Sequence, residues 1–235
     1  MQKKSEAFPK KIYLKPALEE RLAQILAVPL TVAAAPFGYG KTTAVKKVLL
    51  SLSVDMLWDT CYTGAEAAFW RCFVKSLQTV GVDTASLTWQ ELPRNAATRQ
   101  RVIEVLQASK LKKTVVFVWN NYHLLGSEDC DKLLLALAKA DLPNWHFVLL
   151  TQRPPDFTLD ELVLKGECLY LQPKDFAFEV SDIIVYYRKN GIVLERRAAE
   201  NLLAATEGWV SALYLYLRQY HNGQSPQTGE ELLRL

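Results

Sequence analysis

Between residues 33 and 43 the chain reads "AAAPFGYGKTT". Just before it, "LTVAAA" is a short continuous apolar run of the kind that suits a buried parallel strand. Just after it, "TTAVKKVLLSL" has the spacing of a helix. A strand, a glycine-bearing loop and a helix therefore follow one another without interruption. The loop meets the pattern G-x-x-x-x-G-K-[ST] at Gly40, Lys41 and Thr42, with Ala35 where the first glycine usually stands. The chemistry survives that change. It rests on backbone N–H groups that cradle phosphates, a lysine that reaches the terminal phosphates, and a hydroxyl that ligates magnesium. Gly38 and Gly40 keep the close approach sterically possible, and the helix starting near Thr42 sets its positive end beneath the phosphates.

The same alternation continues outward from this loop. "PALEERLAQIL" predicts an amphipathic helix over 16–26. "VDMLWDTC", "KTVVFVW", "HFVLLT" and "CLYLQ" carry strand signals, and "EAAFWRCFVKSLQTV", "ATRQRVIEVLQAS" and "SEDCDKLLLALAKA" carry helical ones, the last with Ser127 as N-cap. Strands alternating with helices at this spacing imply a parallel sheet covered on both faces. From Phe176 onward three consecutive helices are expected, "EVSDIIVYYRKNG", "ERRAAENLLAATEG" and "WVSALYLYLRQYH", the first two closed by glycine. The predicted fold class is α/β, a P-loop NTPase parallel sheet with helices on both faces, followed by a small all-helical lid domain. The expected boundaries are 1–171 for the nucleotide-binding domain and 172–221 for the lid. Residues 222–235, "NGQSPQTGEELLRL", read as the start of a further segment that is cut short.

Composition sets the limits within which these motifs act. With 235 residues, 50% of them hydrophobic and 23% charged, the chain has the balance of an ordinary globular protein with a core that needs no staples. A net charge of +3 is far below that of a dedicated nucleic-acid-binding domain. The lysines at 3, 4, 10, 11 and 15 read as a solvated N-terminal arm. Cys61, Cys72, Cys130 and Cys168 show no C-x-x-C spacing, so they read as small buried thiols and not as zinc ligands. No apolar run approaches the ~20 residues of a membrane span, and the expected location is cytoplasmic.

Four stretches in this order, "APFGYGKTT", "WNNYHLL", "LLTQRPP" and "TEGWVSALYL", resemble the STAND signal-transduction NTPases. The similarity is strongest to the maltose-regulator-like large ATP-binding regulators of the LuxR type. The resemblance covers nearly the whole chain. It implies an N-terminal switch domain that binds ADP at rest and ATP with Mg2+ when active, and that self-associates in the ATP form of the full-length protein. DNA is then contacted only through a C-terminal module that this sequence does not contain. By the same resemblance Pro36, Gly38, Tyr39, Gly40, Lys41, Thr42 and Thr43 bind the nucleotide, Thr43 on the α-phosphate side. Thr42 and Asn120 serve the metal, and Arg153 stands at the place of a sensor arginine that reads the γ-phosphate. A surface ion pair is the other reading of Arg153.

Asn120 and Asn121 occupy, by this resemblance, the positions where such proteins carry carboxylates. An acid at the end of the second-motif strand holds the magnesium shell, and a neighbouring acid orients or deprotonates the attacking water. An asparagine carbonyl still bonds a magnesium-bound water but cannot serve as a base. The loss of a general base costs roughly 10² to 10⁴ in rate. Two readings follow: a switch with weak or absent hydrolysis, and a competent P-loop ATPase with a relocated acid. Asp59 and Asn121 are the catalytic candidates. Asp59 is expected at the same carboxyl edge of the sheet, with capping of the next turn as its alternative role. Glu128, Asp129 and Asp131 read as first-turn acids of the following helix. Val210 replaces the family's proline in "TEGWV", Trp209 reads as core, and His123 reads as structural. His146 and His221 have no visible partner pattern.

Overall fold

The computed structural model describes residues 11–87 and 91–221. The expected segment 222–235 and Lys3, Lys4 and Lys10 lie outside the described residues. Contacts divide the chain into two units. The larger holds Glu19–Phe37 and Lys41–Pro173. The smaller holds, among the described residues, 11–18, Gly38–Gly40 and 174–221.

The larger unit is built on five parallel strands, β1 (Leu30–Ala34), β2 (Asp55–Thr60), β3 (Val115–Asn120), β4 (Trp145–Thr151) and β5 (Cys168–Leu171), in the order β2-β3-β4-β1-β5. The first helix, α1 (Pro16–Leu22), precedes β1 and runs on into a 3-10 turn at Ala23–Ala27, so the expected 16–26 helix tightens in its last turn. Between the strands lie α2 (Lys41–Ser51), α3 (Glu66–Thr79), α4 (Ala96–Ala108), α5 (Glu128–Ala138) and α6 (Leu159–Leu164). Helix α4 begins with a reciprocal capping box between Asn95 and Thr98, and Ser127 Oγ caps α5 by accepting from Cys130 N. Helix α6 was not expected, because six residues offer too little periodicity to read.

Alternation along the strands sorts the side chains onto two faces. One face carries Leu30, Val32, Val115, Phe117, Trp119, Phe147 and Leu149, which form one core cluster with the apolar stripes of α3, α4 and α5. Its centre is aromatic. Trp119 stacks on Phe117 with ring centroids 4.4 Å apart, and Phe69, Phe73 and Phe147 lie within 5.7 Å of it. The other face carries Thr31, Ala33, Val116, Val118, Val148 and Leu150, all buried and in register across β1, β4 and β3. Both faces being covered explains the continuous apolar runs of β1, β3 and β4.

The smaller unit contains α7 (Pro173–Phe176) from its second residue on, α8 (Val180–Lys189), α9 (Arg196–Thr206) and α10 (Val210–His221). Helices α8 to α10 match the three expected ones, whereas α7, four residues long, was not expected. Phe178, Ile183, Tyr186, Tyr187, Leu202, Leu213 and Leu217 form its core, with Tyr13 packed against them. The N-terminal segment is held by polar bonds. Tyr13 Oη donates to Asp182 Oδ1 at 2.8 Å, and Lys15 Nζ donates to Ala177 O at 2.8 Å and lies 3.9 Å from the Asp182 carboxylate. Lys15 is therefore buried and paired, which corrects its reading as part of a solvated arm.

Candidate functional site

Strand β1 delivers the loop. Ala35 N–H donates to Thr151 O at 3.2 Å, continuing the β1–β4 ladder by one residue, and the Ala35 methyl is buried. Among the described non-glycine residues only Asn121 and Glu207 have positive φ. Ala35 thus has a backbone that any residue adopts, which is why alanine replaces the first glycine without cost. Gly38 (φ 83°) and Gly40 (φ 82°) are different. Both lie in the left-handed region, where an L side chain is disfavoured. A Cβ on Gly40 would meet nothing within 4 Å among the described residues. A Cβ on Gly38 would stand 2.4 Å from Trp209 Nε1 and 2.6 Å from Ser211 Oγ. Within the smaller unit, Ser211 N and Oγ both donate to Gly38 O, at 3.1 and 3.0 Å. Trp209 is 37% exposed, which corrects its reading as a core residue. Val210 is the first residue of α10.

Helix α2 starts at Lys41, one residue earlier than expected. Its first N–H groups have no intrahelical acceptor and carry the positive end of the helix dipole. Lys41 Nζ donates to Ala35 O at 2.5 Å and to Pro36 O at 3.0 Å, so two of the three ammonium donors brace the loop and one remains. Partial burial lowers the Lys41 pKa. Thr42 Oγ1 donates to Asn120 Oδ1 at 3.4 Å, joining the start of α2 to the end of β3. Thr43 and Pro36 are exposed, and Tyr39 is half-buried.

Asn120 closes β3, in register with Thr60 and Leu150, and so projects from the same sheet face as Val116 and Val118. Asn121 has φ 57° and ψ 35° and turns the chain into a 3-10 turn, Tyr122–Leu124, its carbonyl accepting from Leu124 N at 3.0 Å. Asparagine and aspartate are the non-glycine residues that visit this conformation most readily. Residue 121 is therefore chosen by the backbone as well as by any chemistry. Tyr122 is buried and donates to Asp131 Oδ1 at 2.5 Å. His123 Nδ1 accepts from Gln152 N–H at 3.3 Å, tying this turn to the residue that follows β4. The His123 pKa is lowered, first by burial and then by the positive charges of Lys41 and Arg153. His146, by contrast, is a buried strand residue whose Nδ1 lies 2.8 Å from Val28 O.

Strand β4 ends at Thr151, as "HFVLLT" predicts. Gln152 and Arg153 lead into Pro154 and Pro155, which cannot continue the ladder, and Thr151 Oγ1 donates to Arg153 O at 2.6 Å. Arg153 is exposed and near enough to His123 for its charge to act there. The structure thus brings Lys41, Thr42, Asn120, His123 and Arg153 to the carboxyl ends of β1, β3 and β4.

It does not bring Asp59 there. Asp59 is the fifth residue of β2, an edge strand that β3 and β4 separate from β1, roughly 14 Å at ordinary strand spacing. It is in register with Trp119, on the sheet face opposite Asn120. Asp59 lines a cavity of about 260 Å³ with Trp58, Tyr62, Phe69, Cys72 and Trp119. Its Oδ1 accepts from Thr60 N at 3.2 Å, and the carboxylate lies beside the Cys72 side chain. Burial raises its pKa. The three acids of α5 are also engaged elsewhere, Glu128 with Lys132, Asp129 with Arg94 and Asp131 with Tyr122. Cys61, Cys130 and Cys168 are buried free thiols, but Cys72 is exposed, which corrects the expectation for that residue.

The donor set fits a magnesium-bound polyphosphate. Magnesium takes few protein ligands, all oxygen, and keeps waters and phosphate oxygens for the rest. The Thr42 hydroxyl and the Asn120 amide oxygen are oxygen donors of that kind, side by side. Among the described residues no group of three or more His, Cys, Asp and Glu could hold a metal ion by itself. No helix among them is long and apolar enough to cross a membrane.

No family model and no curated protein matches the sequence. Solved structures do match the fold. A signal-transduction ATPase with numerous domains (STAND) carrying a tetratricopeptide-repeat sensor, from Pyrococcus horikoshii, is 13% identical, with a TM-score of 0.67 over 93% of this chain. The chain spans only 31% of that protein. A Walker-type ATPase of Pyrococcus abyssi is 13% identical with a TM-score of 0.58, over 95% of this chain and 72% of that one. Drosophila ORC bound to DNA is 15% identical with a TM-score of 0.51, over 100% and 68%. At these identities the likeness is one of fold, and the five-stranded parallel sheet with helices around it is that of the P-loop ATPases, STAND proteins among them.

Proposed function

We propose that this chain is a nucleotide-binding switch domain that takes ATP or ADP with Mg2+ and hydrolyses ATP weakly or not at all. The observation that carries the reading is the pairing of a complete phosphate loop with an amide at the metal position, Thr42 Oγ1 standing 3.4 Å from Asn120 Oδ1. Lys41 and the N–H groups that open α2 supply positive charge where phosphates would lie. Asn120 can hold a metal-bound water, and neither asparagine can take a proton from an attacking one. In the alternative, a competent ATPase with a relocated acid, Asp59 would have to act from the opposite face of the sheet.

The larger biological setting belongs to the same reading. The four stretches shared with LuxR-type ATP-binding regulators support a role in a cytoplasmic transcriptional switch, where nucleotide state governs self-association and a separate module contacts DNA. Calorimetry with Mg·ADP and Mg·ATP on the wild type and Lys41→Ala tests the binding claim. The variant is expected to lose at least about tenfold in affinity for both, the loss of a hydrogen bond to a charged group. Equal affinity in the two proteins would overturn the role of the loop.

A further inference from the structure

We propose that the cavity beside Asp59 is a second binding site, which takes a small organic ammonium ion on the sheet face opposite Asn120. The site shares no residue with the phosphate loop, and the proposal does not depend on the nucleotide reading.

The row of residues that crosses the sheet at this level runs Asp59, Trp119, Leu149, Val32 and Tyr170. Trp119, Leu149 and Val32 are buried, so a carboxylate ends a row that is otherwise apolar at its centre. An inward charge on an edge strand deters pairing with another chain, but that role needs no space around the charge. Here there is space. The cavity beside β2 and α3 measures about 260 Å³, a little under the ~300–1,000 Å³ of drug-sized pockets. Ala65, Ala68 and Cys72 line it at helical spacing, and their short side chains leave the room. Tyr62 and Cys72, two more of its lining residues, are exposed, so the cavity opens to solvent.

The lining favours positive charge. Asp59 is half-buried, burial raises its pKa, and no basic group lowers it. Among the described residues no Lys, Arg or His forms an ion pair with it. A carboxylate drawn out of water without a counter-ion favours a cation that reaches it. Phe69 and Trp119 line the same cavity, their ring centroids 5.5 Å apart. Aromatic rings attract ammonium groups through their quadrupoles. A bare metal ion would find too few ligands, since no metal-holding group of His, Cys, Asp and Glu exists among the described residues. An organic cation uses both the charge and the apolar lining. Trp119 also carries a buried Nε1–H with no acceptor among the described residues, which makes a cation with a hydroxyl the natural probe.

The test titrates choline and ethanolamine by calorimetry against wild type, Asp59→Asn and Ala68→Leu, beside the uncharged isostere of choline in which carbon replaces nitrogen. At least one of the two cations is expected to bind the wild type, and the isostere at least about tenfold more weakly than choline, the loss of one charged contact. Asp59→Asn keeps the shape and removes the charge, so it is expected to lose at least about tenfold for the cations and little for the isostere. Ala68→Leu keeps the charge and fills the space, so it is expected to weaken every ligand. A cooperative melt of each variant shows that it is folded. Equal affinity for choline and its isostere would overturn the proposal, as would cation binding that survives Asp59→Asn or Ala68→Leu. Failure of both cations to bind the wild type at concentrations up to ~10 mM would overturn it as well.

Discussion

Gly38 and Gly40 have nearly the same φ, and only one has a neighbour where its side chain would go, so the pair separates backbone strain from packing. Alanine at either position adopts the left-handed region at a cost of about 1–2 kcal/mol. At Gly40 that is the whole penalty, because nothing among the described residues lies within 4 Å of the new methyl. At Gly38 the methyl would stand 2.4 Å from Trp209 Nε1 and 2.6 Å from Ser211 Oγ, and overpacking adds about 1–3 kcal/mol. The expected totals are ~1–2 kcal/mol for Gly40→Ala and ~2–5 kcal/mol for Gly38→Ala. Urea unfolding at constant m-value reads the difference directly. Trp209→Ala in the Gly38→Ala background removes the closest of the clashing atoms and leaves Ser211, so partial rescue is expected, with a coupling of about 0.5–3 kcal/mol. Equal costs for the two alanines, or no coupling to Trp209, would refute the seat of Gly38 against Trp209 and Ser211.

Two further predictions concern groups outside the loop. Asp59 has its carboxyl raised above the ordinary 3.8 by burial, so the folded state favours its protonated form. That contribution is present below the unfolded value and is lost as pH rises through the folded one, leaving ionised Asp59 destabilising at neutral pH. Asp59→Asn is therefore expected to melt higher than wild type at pH 7, with the advantage vanishing near pH 3, and to leave phosphate release unchanged. A lower melting temperature at pH 7 would show that the carboxylate has a partner. Of the four thiols only Cys72 is exposed, so a thiol reagent should label one per native chain and four after denaturation. Burial and the neighbouring Asp59 raise the Cys72 pKa, so that labelling should be slow at pH 7. Labelling of Cys61, whose burial pushes its thiol up to about 12, would contradict the packing at the end of β2.

The strands and long helices were legible in the sequence because each is a local signal. The run "LTVAAA" and the capping residue Ser127 show their roles within a few positions, and β1 and α5 appear within two residues of the expected ends. The short helices α6 and α7 were not, since they hold less than two turns each. Strand order is not a local property. That β4 lies between β1 and β3, which brings Thr151 and Gln152 beside the loop and the His123 turn, appears only in the pairing. The same limit misplaced Asp59. Its position at the end of a strand was readable, but the face it projects from depends on register with Trp119. Lys15 read as solvated because its partner, Asp182, lies far along the chain. The left-handed backbone at Asn121 gives that asparagine a second cause, one the sequence pattern alone attributes to chemistry.

The central claim is that this site binds a nucleotide and does little to hydrolyse it, and single-turnover hydrolysis of Mg·ATP with enzyme in excess tests it most directly. Aspartate tolerates the left-handed conformation as asparagine does, so Asn120→Asp with Asn121→Asp restores both carboxylates without disturbing the turn. The account predicts slow or undetectable turnover in the wild type and a rise of up to ~10² in the double variant, with much smaller changes in affinity. Wild-type turnover at ~1 s⁻¹ or faster, the pace of an ordinary enzyme, would contradict it.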